Sequence, residues 1–308
     1  MGALWGLATA IAYAITSVTI GQLCKKSHPL AVSLIVTAGT VLFFLAVGCL
    51  GGGIHITSQS VEFGLIIGIL FAIGNALYYK ALSIGPMAMV AVTCSLAPLV
   101  PLSFDIATGK APSSTQIAGF VLIALGILVI ARRWHKEGDS RTRTISPLLL
   151  VLPASMIFGV NDVLLELTDT ASLIGLMLAI QLSKFTATLL LCLPVISSIR
   201  SGPLPIARLL PLGAVYGVAW IALDWSARAG SIDITSALEN SYPIFVALLA
   251  YWFLGERLSK RQTAGVLAAL TGIVLMVTAQ SHSHKATPPS TCQKHCPPIG
   301  HSIMHRLP

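Results

Sequence analysis

Long apolar runs alternate with short polar joints along almost the whole chain, and glycines or prolines mark many of these joints. A helix that crosses a bilayer needs about 20 predominantly apolar residues. Ten segments meet this requirement, so the pattern predicts ten transmembrane helices at 3–23, 30–50, 62–82, 86–107, 114–134, 147–167, 172–197, 207–229, 232–253 and 262–280. The predicted fold is therefore an all-α, polytopic membrane protein.

The composition limits the classes of function that this chain can have. Of the 308 residues, 55% are hydrophobic and only 10% are charged, whereas a soluble domain carries about 25% charged residues. This excludes a soluble enzyme, and the sequence contains no HExxH motif, Walker loop or dinucleotide-binding glycine pattern. We expect neither enzymatic activity nor a cofactor. The net charge of +8 comes mostly from residues between apolar runs, where they would meet lipid head groups, so nucleic acid is not an expected partner.

An internal repeat divides the chain into two halves. One shift aligns Gly68 with Gly213 and Pro98 with Pro243, and after one further residue of gap Gln116 aligns with Gln262 and the matches continue into the last predicted helix. Because each half has five predicted helices, the second half must enter the membrane with opposite polarity, as in many secondary transporters. The predicted organisation is a first repeat at 1–135, a basic linker at 136–146, a second repeat at 147–280 and a disordered tail at 281–308.

The tail contains histidines together with Cys292 and Cys296. Such side chains can bind a soft or borderline metal. Their spacing matches no known zinc module, so no metal site is predicted. The remaining cysteines lie in or beside apolar runs, where small buried hydrophobic roles are expected.

Three stretches of sequence resemble one transporter family. They are Asn75–Pro86, Ser226–Gly230, and Tyr242–Leu258 followed by Gln262–Val277. They are similar to the helix ends and the C-terminal repeat signature of the EamA family, in the drug/metabolite transporter superfamily. The resemblance extends over about residues 3–280. It implies a transporter fold but leaves the substrate open, because the family handles amino acids, sugars, nucleotide conjugates and drugs.

The orientation in the membrane stays open at this stage. Ten spans put both termini on one side, and the family resemblance implies that this side is cytoplasmic. Most lysines and arginines, however, lie in connections on the opposite side, including the segment 132–146. The positive-inside rule makes that opposite side cytoplasmic, so the two arguments disagree.

The conspicuous ionisable residues inside predicted spans of the second half are Asp162, Lys184, Asp224 and Glu239. A charge at a helix centre costs about 2.5 to 3.5 kcal/mol on insertion scales, so each needs a polar environment. The predicted depths place the three carboxylates toward the side of the termini and Lys184 near mid-span, where one cavity would serve all four. Two structural alternatives stay open: Asp224 pairs with Arg228, or Lys184 forms an ion pair with Asp162 or Glu239.

The first half contributes neutral polar and aromatic groups on its third predicted helix, which corresponds to the eighth. Asn75, Tyr78 and Tyr79 align with Trp220 and its neighbours, and helix packing alone would also explain them. The full set of candidate substrate-binding residues is Asn75, Tyr79, Asp162, Gln181, Lys184, Trp220, Asp224, Glu239, Asn240 and Tyr242. Asp162 and Glu239 are the candidates for proton coupling.

Prolines and small residues predict local departures from straight helices. Pro98 and Pro243 each remove a backbone hydrogen bond in mid-span, which predicts kinks in the fourth and ninth helices. The pairs Gly68–Ala72 and Gly213–Gly217 have the spacing that lets helices approach closely.

The predicted function is secondary transport, in the direction of export, of a small zwitterionic or cationic metabolite by alternating access. The expected location is a bacterial inner membrane, and the expected partners are the solute and lipids; a homodimer stays open. The alternatives are a flippase for a lipid moiety and a membrane scaffold or sensor subunit without transport activity.

Overall fold

The computed structural model describes residues 2–50, 54–109, 112–137, 146–168, 173–196, 206–229, 242–255, 263–272 and 274–275. Within these ranges the regular structure is helical throughout. We number the α-helices in chain order: α1 Gly2–Cys24, α2 Pro29–Leu50, α3 Ser58–Ile84, α4 Met87–Cys94, α5 Leu99–Ala107, α6 Ser114–Glu137, α7 Pro147–Glu166, α8 Leu173–Cys192, α9 Ile206–Ala229, α10 Tyr242–Leu254 and α11 Thr263–Gly272. A short 3₁₀ turn, Leu193–Val195, extends α8.

Six apolar segments are long enough to cross a membrane: Trp5–Cys24, Pro29–Leu50, Ser58–Ile84, Met87–Ala107, Pro147–Glu166 and Leu173–Val195. Shorter apolar helices cover Ser114–Gly126, Ile206–Ala222 and Thr263–Gly272. The predicted all-α, polytopic fold is therefore confirmed, while the count of ten spans stays a prediction. Large apolar side chains such as Leu65, Leu149 and Trp252 are exposed, as expected where helices face lipid.

Polar side chains define where two of the helices begin. At α3, the Ser60 amide donates a hydrogen bond to Thr57 Oγ1 at 3.1 Å. At α6, the Gln116 amide donates to Ser113 Oγ at 3.2 Å, and the Ser113 amide donates to Gln116 Oε1 at 2.8 Å. This reciprocal pair is a capping box, which satisfies backbone donors that the first helical turn leaves unpaired.

The fourth predicted span is not one kinked helix, and this corrects the sequence-based expectation. It consists of α4 and α5, separated by a four-residue turn from Ser95 to Pro98. Pro98 has no backbone N–H and cannot continue the helical hydrogen-bond pattern. The matching Pro243 is the second residue of α10 as the structure describes that helix, and the residues before it, 230–241, lie outside the described ranges.

Equivalent helices of the two halves make equivalent contacts. Helix α3 packs against α7 and α8, and its counterpart α9 packs against α1 and α2. Close glycine contacts repeat in the same way between α6 and α11. A Cβ atom on Gly126 would lie 2.5 Å from the Gly265 carbonyl oxygen, and one on Gly272 would lie 2.5 Å from the Gly119 carbonyl oxygen. The packing of the described helices thus follows a two-fold pattern.

Candidate functional site

A central cavity of about 190 Å³ lies between helices of both halves. The first half contributes α1, α3 and the turn between α4 and α5, and the second contributes α7, α9 and α10. The side chains around it are mostly aromatic or small and polar: Tyr13, Thr16, Ser17, Ile20, Phe71, Asn75, Tyr78, Tyr79, Cys94, Ser95, Ala97, Pro98, Phe158, Asp162, Tyr216, Trp220 and Tyr242.

Five of the ten candidate residues meet at this cavity: Asn75, Tyr79, Asp162, Trp220 and Tyr242. Asn75 and Tyr79 lie on α3, Asp162 on α7 and Trp220 on α9, and Tyr242 is the first described residue of α10. Their roles in binding stay a prediction, because what the structure gives is their proximity to one another.

Asp162 is the charged residue among those that line the cavity, and it lies in the last turns of α7. Its side chain is exposed and lines the cavity. Asn75 on α3 is only 7% exposed and lines the same space. The cavity therefore combines one negative charge with a buried amide.

Aromatic rings form most of the remaining wall. Tyr13 of α1 lies 5.4 Å from the Tyr216 ring and 6.4 Å from the Tyr242 ring, measured between centroids. The Phe71 ring lies 6.5 Å from Trp220, edge to face. Such contacts are worth about 0.5 to 1.5 kcal/mol each beyond their buried area, so the rings stabilise the shape of the cavity. The Trp220 Nε1 donor has no hydrogen-bond partner among the described groups.

The contribution of α1 was missed by the sequence analysis. Tyr13, Thr16, Ser17 and Ile20 line the cavity, and their spacing puts them on one face of a helix. The available signal was the coincidence of two hydroxyls and a tyrosine along that face. It is weak, because hydroxyls inside apolar helices usually bond to the preceding turn, as Thr16 Oγ1 does with the Ala12 carbonyl at 2.7 Å.

Lys184 and Gln181 are buried on α8, with 3% and 2% of their surfaces exposed, but they do not line the cavity. The Lys184 Nζ lies 5.9 Å from the centroid of the Phe71 ring and 5.4 Å from that of Tyr216. Both rings line the cavity, so the lysine lies directly behind its wall. No carboxylate of a described side chain is in ion-pair contact with Lys184. Cation–π contacts with the two rings, worth about 0.5 to 2 kcal/mol, stabilise the lysine charge instead.

The other candidates fall outside what the structure describes. Glu239 and Asn240 lie in the undescribed segment 230–241, and the side chain of Asp224 is likewise not described. The predicted grouping of three carboxylates with Lys184 stays a prediction for this reason. The same holds for the tail cysteines, Cys292 and Cys296.

A comparison with protein families now bears on this geometry. The model of the EamA-like transporter family matches residues 1–132 and 145–278. The chain belongs to the EamA-like transporter family. As an EamA-like transporter it is an integral, multi-pass membrane protein, and a cavity lined by helices from both halves is the natural place for a small-molecule substrate.

Two further similarities were found. Over 99 residues the EamA-like chain is 33% identical to a probable terminal-alkyne amino-acid exporter of Streptantibioticus cattleyicolor, a match that covers 29% of this chain and 33% of the relative. The matched segment thus spans about a third of the length of that relative. A solved protein crystal structure has 17% sequence identity and a TM-score of 0.64, covering 90% of this chain and 98% of its own. The second similarity supports the fold alone.

Proposed function

We propose that the protein is a secondary transporter that exports a small zwitterionic or cationic metabolite of amino-acid type, in the inner membrane of a bacterium. The observation that carries the proposal is the cavity between the two halves, in which Asp162 is a carboxylate among aromatic and hydroxyl side chains. The partial relative named as an amino-acid exporter supports the same class of solute.

The size of the cavity suits such a solute. A protein cavity of about 150 Å³ is large enough to hold benzene, and this one measures about 190 Å³. A small amino acid therefore fits, whereas a nucleotide conjugate or a disaccharide would require a larger space. The aromatic walls favour an apolar or unsaturated side chain, and Asp162 favours a positive charge.

The arrangement of the cavity also supports alternating access. Because α1, α3 and α4 line it from one half, and α7, α9 and α10 from the other, rocking of the halves would change which side the solute can reach. Asp162, with Glu239 as the second candidate, would bind a proton in one part of the cycle and release it in the other. Export against a gradient would then draw on the proton gradient.

The test is transport by the purified full-length protein in proteoliposomes. Vesicles are loaded with radiolabelled L-propargylglycine, a terminal-alkyne amino acid, or with one of the common amino acids, and efflux is followed with and without an inward proton gradient. We expect efflux of at least one of these amino acids above protein-free vesicles, accelerated by the gradient. Efflux of none of them, or equal rates with and without the gradient, would contradict the substrate class or the coupling respectively.

A further inference from the structure

We infer that the turn between α4 and α5, together with Asp162 and Asn75, forms a subsite for the primary ammonium group of the solute. This inference rests on the proposed function and makes it more specific, because it assigns one end of the solute to one wall of the cavity.

The backbone of the turn leaves an acceptor unused. After Cys94 the amides of Ser95, Leu96 and Ala97 bond to the carbonyl oxygens three residues earlier, at 3.2, 3.2 and 3.1 Å. Pro98 has no N–H, and the Leu99 amide bonds to the Leu96 carbonyl at 3.0 Å. The Ser95 carbonyl oxygen therefore receives no hydrogen bond from the described residues, although Ser95 is buried and lines the cavity.

Close packing holds α7 against this turn. A Cβ atom on Gly159 would overlap the Ala97 carbonyl oxygen and approach the Val100 side chain to 2.8 Å. Only a glycine permits that contact. Asp162 follows Gly159 by one helical turn and lines the same cavity as Cys94, the last residue of α4. The carboxylate and the broken helix are thus held on one side of the cavity.

The Asp162 charge and the end of α4 at this wall favour a cation. The C-terminal end of α4 carries the negative end of the helix dipole, and Asp162 adds a negative charge. Asn75 is more than nine-tenths buried and lines the same cavity, where its amide oxygen can accept a hydrogen bond. The described cation nearest to the cavity, Lys184, lies behind the Phe71 and Tyr216 rings.

A primary ammonium group matches these acceptors in number and charge. It has three N–H donors and no acceptor, and the wall presents a backbone carbonyl, an amide oxygen and a carboxylate. A sodium ion uses the same oxygen ligands, so the experiment must separate the two. A carboxylate or phosphate group would be repelled by the Asp162 charge and would meet only neutral donors such as the Asn75 amide, so this wall favours an ammonium group.

The test measures binding of three related probes to the purified full-length protein by calorimetry. L-propargylglycine carries both charges, but-3-ynylamine lacks the carboxylate, and 4-pentynoic acid lacks the ammonium group. We expect the first two to bind and the acid to bind at least tenfold more weakly, in choline as well as in sodium buffer. A loss of tenfold or more corresponds to the removal of one charged hydrogen bond.

Two variants test the two parts of the subsite, each with a matched control. Asp162→Asn removes the charge and Pro98→Ala supplies a backbone N–H to the turn, and each should weaken but-3-ynylamine binding at least tenfold. The control for Asp162→Asn is Glu166→Gln, which removes a negative charge at an exposed position of α7. The control for Pro98→Ala is Pro153→Ala, which adds a backbone N–H at an exposed position inside the same helix. Neither control should alter binding. Asp162→Asn keeps the test decisive if Pro98→Ala fails to fold.

The outcomes separate this inference from the proposed function. Equal binding of 4-pentynoic acid and but-3-ynylamine, or unchanged amine binding in both variants, overturns the subsite even if amino acids are exported. Sodium binding that depends on Asp162, with no amine binding, also overturns the ammonium assignment. Amine binding that both variants weaken supports the subsite even if proteoliposomes export no amino acid, in which case only the proposed substrate class fails.

Discussion

Gly39 of α2 and Gly213 of α9 lie in direct backbone contact where the two halves meet. A Cβ atom on Gly39 would overlap the Leu210 carbonyl oxygen, and one on Gly213 would overlap the Val36 carbonyl oxygen. Thr40 Oγ1 donates a hydrogen bond across the same contact to the Gly213 carbonyl at 3.0 Å. The halves are therefore joined by a contact that tolerates no added carbon atom.

Gly213→Ala is expected to destabilise this contact. The added methyl group must push the helices apart, which costs about 1 to 3 kcal/mol in the free energy of unfolding. The measurement is thermal unfolding in detergent. Val215→Ile adds one carbon atom to an exposed side chain of the same helix and should leave the melting temperature unchanged; equal melting temperatures for the two variants would contradict the close contact.

Lys184→Met is expected to abolish transport while the protein stays folded. Methionine keeps the length of the side chain and its apolar stem but removes the charge that lies between the Phe71 and Tyr216 rings. The measurement is efflux from proteoliposomes combined with thermal unfolding. Lys80→Met, at an exposed position of α3, is the matched control and should retain both properties.

A structural ion pair would give the opposite result for Lys184. Removal of one partner of a buried pair costs about 3 to 5 kcal/mol, so Lys184→Met would lose stability and a second change at the carboxylate outside the described residues, Glu239→Gln, would restore it. Transport that survives in such a double variant would show that the lysine has no part in binding.

Ser17→Leu is expected to block the cavity from the α1 side. The larger side chain projects from the face that lines the cavity, so solute binding should fall at least tenfold without a large change in stability. Thr19→Leu is a suitable control, because Thr19 does not line the cavity. Normal binding by the Ser17 variant would remove α1 from the site.

Both termini are expected on the same side of the membrane. Reporter fusions after residue 2 and after residue 280 should give the same location, because an even number of spans separates them. A fusion within 132–146 then decides the orientation. Opposite locations of the two termini would contradict the ten-span topology.

Sequence patterns predicted the helices better than the turn within the fourth span. Runs of apolar residues set the helix bounds, and most described bounds lie within a few residues of the expected ones. Pro98 alone predicted a kink, because a proline removes one hydrogen bond. The full four-residue turn also involves the close approach of Gly159 to the Ala97 carbonyl, a contact between distant parts of the chain that periodicity does not encode.

The sequence could predict where along its helix a candidate residue lies, but not in which direction its side chain points around the helix axis. Asp162 and Lys184 were both identified as charges inside spans, yet only Asp162 lines the cavity. Depth follows from the position along a helix, whereas the direction of a side chain around the helix axis depends on which neighbours pack against it. For Lys184 those neighbours are Phe71 and Tyr216, and no sequence signal connected them.

The turn from Ser95 to Pro98 also has a mechanical consequence. A continuous helix transmits a tilt from one end to the other, because its hydrogen bonds make it a single rod. Here all eight residues of α4 are buried, whereas Leu102 is the one buried residue of α5. Helix α4 is enclosed by the protein, whereas most side chains of α5 are partly or fully exposed, although α5 also packs against α7. A tilt of α5 therefore need not be transmitted through the turn to α4.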